Sequence, residues 1–94
     1  MPQRDLVWSE KAIEDLRGLL ERRDDRDSVL LCVEGHLLAV ADNPAIASTH
    51  SGPQAYQLYR FGCRDGETAL YLQAVFQDLP DGRLSVMSCN TTAL

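Results

Sequence analysis

The segment that most constrains the fold is residues 6–16, with the sequence Leu-Val-Trp-Ser-Glu-Lys-Ala-Ile-Glu-Asp-Leu. Its first three residues are apolar and predict a short strand, with Leu6 and Trp8 on one face. Ser9 then stands where its hydroxyl can accept a hydrogen bond from a free amide of a first helical turn. Apolar residues at helical spacing predict an amphipathic helix after this cap: Ala12, Ile13, Leu16, Leu19 and Leu20. The rest of the chain must therefore supply the strands that this unit packs against.

Residues 29–41 are apolar almost throughout and are interrupted only by residues 34–36, Glu-Gly-His. Two interpretations fit this pattern almost equally well, with a slight preference for a helix because of the length of thirteen residues and the acidic cap. One is a largely buried second helix with Glu34 and His36 at its exposed edge, and the other is a hairpin that turns at the glycine. Residues 43–44, Asn-Pro, end the element in either case, because the residue before a proline avoids the α region.

Three strands are predicted in the second half of the chain, after a loop over residues 45–53. They cover residues 54–61, 68–77 and 83–89. Alternation is clearest in the middle strand, where four apolar side chains share one face: Leu70, Leu72, Ala74 and Phe76. The connections have turn chemistry, Arg-Asp-Gly at residues 64–66 and Pro-Asp-Gly at residues 80–82. The prediction is a three-stranded antiparallel meander.

The cysteines are Cys32, Cys63 and Cys89, which lie far apart in the sequence. A disulfide framework or a zinc site normally has more cysteines at closer spacing. We therefore expect three reduced thiols that act as small apolar side chains in a cytoplasmic protein. Strict alternation along residues 83–89 places Cys89 on the face opposite Leu84.

Length and composition exclude several classes of protein. A chain of 94 residues predicts one domain, residues 1–94. The net charge of −5 argues against direct nucleic-acid binding through a basic face. No apolar run reaches about 18 residues, and no early one predicts a signal peptide, so we expect no membrane contact. Without a glycine-rich phosphate loop or an acidic metal cluster, we expect no cofactor and no metal.

The order of a strand, one or two helices and then a three-stranded meander resembles that of the RelE/ParE toxin superfamily. The matching residues are Val7, Trp8, Ser9, Ala12, Asp15 and Leu16 in the opening unit, Asn43-Pro44 after the second helix, and Tyr59-Arg60 in the next strand. The resemblance implies an α+β fold with an N-terminal strand, two helices and a meander that completes one sheet. It also favours a helix for residues 29–41.

The resemblance implies the toxin half of a bacterial type II toxin–antitoxin pair, with an antitoxin protein as partner. RelE-type members cleave mRNA on the ribosome, and ParE-type members act on DNA gyrase. RNA cleavage needs cations at the phosphate and a group that deprotonates the 2′-hydroxyl. The candidates here are Arg60, Arg83 and Tyr59. Residues 88–94 contain no His, Arg, Lys or Tyr, so the basic or aromatic ending of RelE-type nucleases is absent, which argues against an enzyme.

Three functional hypotheses follow. The favoured one is a toxin-like protein that acts by binding a macromolecular target, closer to the ParE branch. The first alternative is a ribosome-dependent mRNA interferase that uses Arg60 and Arg83. The second is a non-toxic binding or dimerisation domain on the same scaffold, including a homodimer. Exposed apolar surface on residues 29–41 would support the last of these.

Overall fold

A computed structural model of the chain describes residues 5–21, 23–50, 55–65 and 68–92. In these residues the chain forms an α+β fold of two helices and a five-stranded mixed sheet with the strand order β1-β5-β4-β3-β2. The elements are β1 (Leu6–Trp8), α1 (Glu10–Leu20), α2 (Arg26–Asp42), a 3-10 turn (Pro44–Ile46), β2 (Ser48–His50), β3 (Tyr56–Asp65), β4 (Thr68–Asp78) and β5 (Leu84–Thr91). Strand β1 pairs with β5 in parallel, and the other neighbours are antiparallel.

The predicted opening unit of strand, cap and helix is confirmed. The Ser9 hydroxyl accepts a hydrogen bond from the Ala12 amide at 3.1 Å, which satisfies one of the free donors of the first turn. The same hydroxyl donates to the Met87 carbonyl oxygen at 3.1 Å. Ser9 therefore both starts α1 and fixes that start to β5.

The helix interpretation of residues 29–41 is confirmed, since α2 runs from Arg26 to Asp42. Its sheet-facing side carries four buried apolar side chains at helical spacing: Val29, Val33, Leu37 and Val40. The helix ends at Asp42, with Asn43 as its C-cap before Pro44, as predicted. Tertiary packing against β3 selects the helix where the local pattern allowed a hairpin.

The predicted meander is confirmed as β3, β4 and β5. The alternation of β4 is as expected, with Leu72, Ala74 and Phe76 buried under the helices and Tyr71 exposed on the opposite face. The β4–β5 turn closes through a hydrogen bond from the Gly82 amide to the Leu79 carbonyl oxygen. Gly82 has φ +89°, which a residue without Cβ adopts at little cost. Of the predicted turn over residues 64–66, residues 64 and 65 belong to strand β3 and residue 66 lies outside the described residues.

The predicted loop over residues 45–53 is wrong in its described part, because the chain forms a 3-10 turn and then strand β2 there. Strand β2 pairs antiparallel with β3, with Ser48 opposite Leu58 and His50 opposite Tyr56. Three mostly polar residues carry no local strand signal, and only the edge of β3 gives them hydrogen-bonding partners. Residues 51–54 lie outside the described residues.

The prediction that Cys89 and Leu84 lie on different faces of the sheet is also wrong. Val75 pairs with Ser88 and Phe76 pairs with Val86, so Met87 is an extra residue in β5. A bulge of this kind shifts the alternation by one position. Cys89 therefore faces the core together with Leu84 and is fully buried.

The core lies between the helices and one face of the sheet. Its largest fully buried side chains are Phe76, Leu37, Leu72, Leu84, Val33, Val40 and Val86. The opposite face of the sheet is not covered by either helix. In the described ranges, no helix has the length and apolar character needed to cross a membrane.

Candidate functional site

A disulfide bond links α2 to β3 through Cys32 and Cys63, whose Cα atoms are 5.9 Å apart. The prediction of three reduced thiols is therefore wrong for these two cysteines. They are 31 residues apart in sequence, and only the packing of α2 over β3 brings them together. Disulfides persist mainly in oxidising compartments. The cysteines thus no longer give a reason to expect a cytoplasmic protein.

An aromatic cluster lies one helical turn further along the same interface. His36 is stacked on Phe61 with ring centroids 4.7 Å apart, and its Nδ1 lies 3.1 Å from the Tyr59 hydroxyl oxygen. Tyr59 in turn stacks on Phe61 at 5.6 Å. The sequence placed His36 at an exposed helix edge, whereas the structure makes it half-buried. Its spacing of four residues from Cys32 is the only sequence signal that both side chains face β3.

The first two predicted site residues, Tyr59 and Arg60, are adjacent in β3 and therefore point to opposite faces of the sheet. The Tyr59 hydroxyl is paired with His36 under α2. Arg60 lies exposed on the helix-free face, where its Nε donates to the Gln73 side-chain oxygen at 3.1 Å. The neighbouring positions in sequence are thus not neighbouring functional groups in space.

Arg83, the third predicted site residue, is held in the β4–β5 turn. Its Nε donates to the Asp81 carboxylate at 2.6 Å and its backbone N–H donates to the same group at 3.0 Å. The backbone hydrogen bond from Arg83, followed by its guanidinium, keeps the pKa of Asp81 below its ordinary value.

The turn that holds Arg83 is far from Arg60. Arg60 is opposite Gln73, while the turn follows Asp78, five residues along β4. At about 3.3 Å per residue, this separates the two arginines by about 16 Å along the sheet. The structure therefore does not bring together the three residues that a ribonuclease mechanism would need.

Cys89 is the remaining free thiol among the described cysteines, and its environment favours the neutral form. Burial, with a smaller effect of the Asp15 carboxylate, raises the pKa of Cys89 to about 11. The Asp15 carboxylate also accepts a hydrogen bond from the Cys89 backbone N–H at 3.2 Å. A thiol in this state is a poor nucleophile at neutral pH.

The outward face of α2 carries an apolar stripe that we call the α2 stripe, defined as Leu31, Gly35 and Leu38. Leu31 is 70% exposed and Leu38 is 47% exposed. A Cβ at Gly35 would have no atom within 4 Å, so the middle of the stripe is open. Exposed carboxylate residues border the stripe at helical spacing: Asp27, Glu34 and Asp42.

In the part of the chain that the structure describes, no three His, Cys, Asp or Glu side chains are arranged to hold a metal ion. Comparison with known proteins adds no relative: no protein-family model, no curated protein and no solved structure matches this chain.

Proposed function

We propose that this chain is a non-catalytic protein-binding domain and that the α2 stripe is its docking surface. The observation that carries the proposal is Leu31, which is 70% exposed in the middle of a regular helix. The opposite side of α2 already buries the apolar side chains that pack on the sheet, so folding does not require leucine at this position. Burying the exposed parts of Leu31 and Leu38 against a partner would contribute about 2 to 3 kcal/mol.

The partner that fits this surface is an amphipathic helix with basic residues beside its apolar stripe. The side chains of Asp27, Glu34 and Asp42 surround the stripe, and the whole chain has a net charge of −5. Lysine or arginine on the partner would pair with these carboxylates, which favours encounter and orientation. Gly35 leaves room for a close approach of the partner helix.

A second copy of the chain fits less well. An antiparallel pair of α2 helices centred on Gly35 would place Asp27 of one copy near Asp42 of the other, and the two Glu34 side chains near the axis. These like charges oppose association. Charge therefore favours a basic partner over a homodimer.

The toxin hypothesis is compatible with this proposal, because an antitoxin or a target would then be the bound partner. Its support is the order of β1, α1, α2 and the meander, which is the order that the RelE/ParE resemblance implies. No contact among the described residues favours the mRNA interferase. Growth after induced expression tests the toxin hypothesis separately, since a strain that grows and divides normally would leave only the binding domain.

The binding proposal is tested with a synthetic 18-residue helical peptide that has leucines along one face, to contact the α2 stripe, and lysines beside these leucines. Fluorescence anisotropy of the labelled peptide gives its Kd. We expect Leu31→Ser to weaken binding about tenfold, since burying the exposed part of this leucine contributes about 1 to 2 kcal/mol and about 1.4 kcal/mol corresponds to tenfold. The matched control is Ile13→Ser on α1, where the isoleucine is 43% exposed and binding should not change.

Charge gives the second arm of this test. A peptide with glutamates in place of its lysines should bind more weakly, and Glu34→Lys should reduce the difference between the two peptides. Equal affinity for both peptides, or an unchanged Kd in Leu31→Ser, would contradict the proposal. A dimer that light scattering detects in the wild type but not in Leu31→Ser would show that a second copy of the chain, and not a basic partner, binds the α2 stripe.

A further inference from the structure

Strand β3 is longer than the edge strand that covers it. Strand β2 pairs with β3 only from Tyr56 to Leu58, whereas β3 continues to Asp65. Within residues 5–21, 23–50, 55–65 and 68–92, no strand pairs with β3 on this side beyond Leu58. The second half of β3 is therefore an open sheet edge.

The register shows which backbone groups face this edge. The Thr92 amide donates to the Tyr71 carbonyl oxygen, so the backbone groups of Tyr71 face β5. Gly62 is opposite Tyr71 across the β3–β4 pair. Because hydrogen-bonding direction alternates along a strand, the N–H and C=O of Gly62 point away from β4.

The Cys32–Cys63 disulfide lies beside this carbonyl, since Cys32 Sγ is 3.8 Å from the Gly62 carbonyl oxygen. A disulfide sulfur has no proton to donate, so this contact leaves the carbonyl oxygen available as an acceptor. By the same alternation, the backbone groups of Arg60 and Arg64 also point to the edge.

The side chains along this edge are cationic, in contrast to the acidic protein. Arg60 and Arg64 are both exposed and lie on the helix-free face with Gly62 between them. Gly62 has no side chain, and the Tyr71 ring lies over it, 3.6 Å from where a Cβ would be. Tyr71 is itself 39% exposed. The edge thus presents one positive charge on each side of the Tyr71 ring that covers Gly62.

We propose that residues 60–64 of β3 are a second docking site, which binds an extended acidic segment of a partner protein as an additional strand. The open backbone groups supply hydrogen bonds, as in other cases of strand addition to a sheet edge. Arg60 and Arg64 select carboxylates. This site is independent of the α2 stripe and of the proposal made for it.

Self-pairing of this edge is disfavoured. Two copies of β3 paired antiparallel about Gly62 would place Arg60 of each copy directly opposite Arg64 of the other. Like charges at directly opposite positions destabilise a strand pair. The arginines therefore both prevent edge-to-edge association and favour an acidic strand.

The arrangement specifies the pattern of the bound segment. Arg60 and Arg64 are four residues apart on one face, about 13 Å along the strand. The segment should carry two carboxylates four residues apart, with a large apolar or aromatic residue midway to pack against the exposed Tyr71 ring that covers Gly62.

The test uses a capped, labelled nine-residue peptide with glutamates four residues apart, tyrosine midway and threonines elsewhere. Anisotropy gives the Kd, and amide hydrogen exchange of the protein reports protection at residues 60, 62 and 64. We expect Gly62→Pro to weaken binding about tenfold, because it removes an edge donor. The control is Gly18→Ala in α1, which changes a glycine outside the docking site and should leave the Kd unchanged.

Two further measurements do not depend on the folding of a proline variant. A peptide with lysines for glutamates should bind about tenfold more weakly. A peptide N-methylated at its edge-facing amides should lose binding. The proposal is overturned if the lysine peptide binds as well as the glutamate peptide, if the N-methylated peptide retains its affinity, or if no binding is found. A wild-type dimer that Gly62→Pro dissociates would also overturn it.

Discussion

Removing the Cys32–Cys63 disulfide should cost a large part of the stability of this domain. The two cysteines are 31 residues apart, and the loss of loop-closure entropy predicts about 3.7 kcal/mol at 25 °C for a loop of that length. A domain of this size has a total of about 5 to 14 kcal/mol. The variant Cys32→Ala/Cys63→Ala should therefore fold, but with a much smaller free energy of unfolding.

Urea unfolding followed by circular dichroism measures this effect. With a urea m-value of about 1.5 kcal/mol/M, the midpoint should fall by about 2.5 M. Adding a reductant to the wild type should lower its midpoint towards that of the double variant, which should not respond to reductant. Cys89→Ala keeps the disulfide and is the control that must still respond.

The reasoning would be refuted by mass spectrometry of the alkylated, unreduced protein if it showed three free thiols. It would equally be refuted by a wild-type midpoint that does not change with reductant. In either case α2 would be held to β3 by packing alone.

Three further predictions concern single positions. The folded pKa of Cys89 is raised from 9.0 to about 11, so its contribution to stability is complete below pH 9 and is lost as the pH rises to 11. Between pH 9 and 11 the free energy of unfolding of Cys89→Ala should fall less than that of the wild type. Identical pH profiles of the two proteins would contradict the raised pKa of Cys89. Tyr59→Phe removes the hydrogen bond to His36 and should destabilise the domain by about 1 kcal/mol in urea unfolding, while a change near zero would mean that the hydroxyl is satisfied by water. Gly82→Ala places a Cβ at φ +89° and should lower the free energy of unfolding by about 1 to 2 kcal/mol. In contrast, Gly18→Ala in α1 should raise it by up to about 1 kcal/mol, because a Cβ there meets no atom within 4 Å. The sign difference between these two glycine variants, measured as a shift in Tm, is the result that checks the turn geometry.

The parts of the fold that could be predicted are those encoded by neighbouring residues. Ser9 followed by a helical apolar pattern is sufficient for the cap and α1. Alternation in residues 68–77 is sufficient for β4 and for its buried face. The Pro-Asp-Gly turn at residues 80–82 and the helix end before Pro44 also follow from backbone geometry at single residues.

The candidate docking surfaces could be predicted only in part. The apolar excess of residues 29–41 was visible, and exposed apolar surface there was the expected sign of a binding domain. Which leucines would be exposed was not visible, because a helix that is apolar on all sides gives no pattern that separates its two faces. The sequence suggests Arg60 as a cation for a nuclease mechanism, whereas its position on an open sheet edge depends on how far β2 extends.

Residues that are neighbours in the sequence encode the local elements of this protein: the cap at Ser9, the strand β4, its turn and the helix end. The contacts between distant segments depend on the complete fold. These are the Cys32–Cys63 bond, the added strand β2, and the Met87 bulge that turns Cys89 into the core. The physical reason is the same in each case, since the energy of these features comes from pairing across the sheet and from packing of α2 on β3, and neither is encoded in any single stretch of the chain.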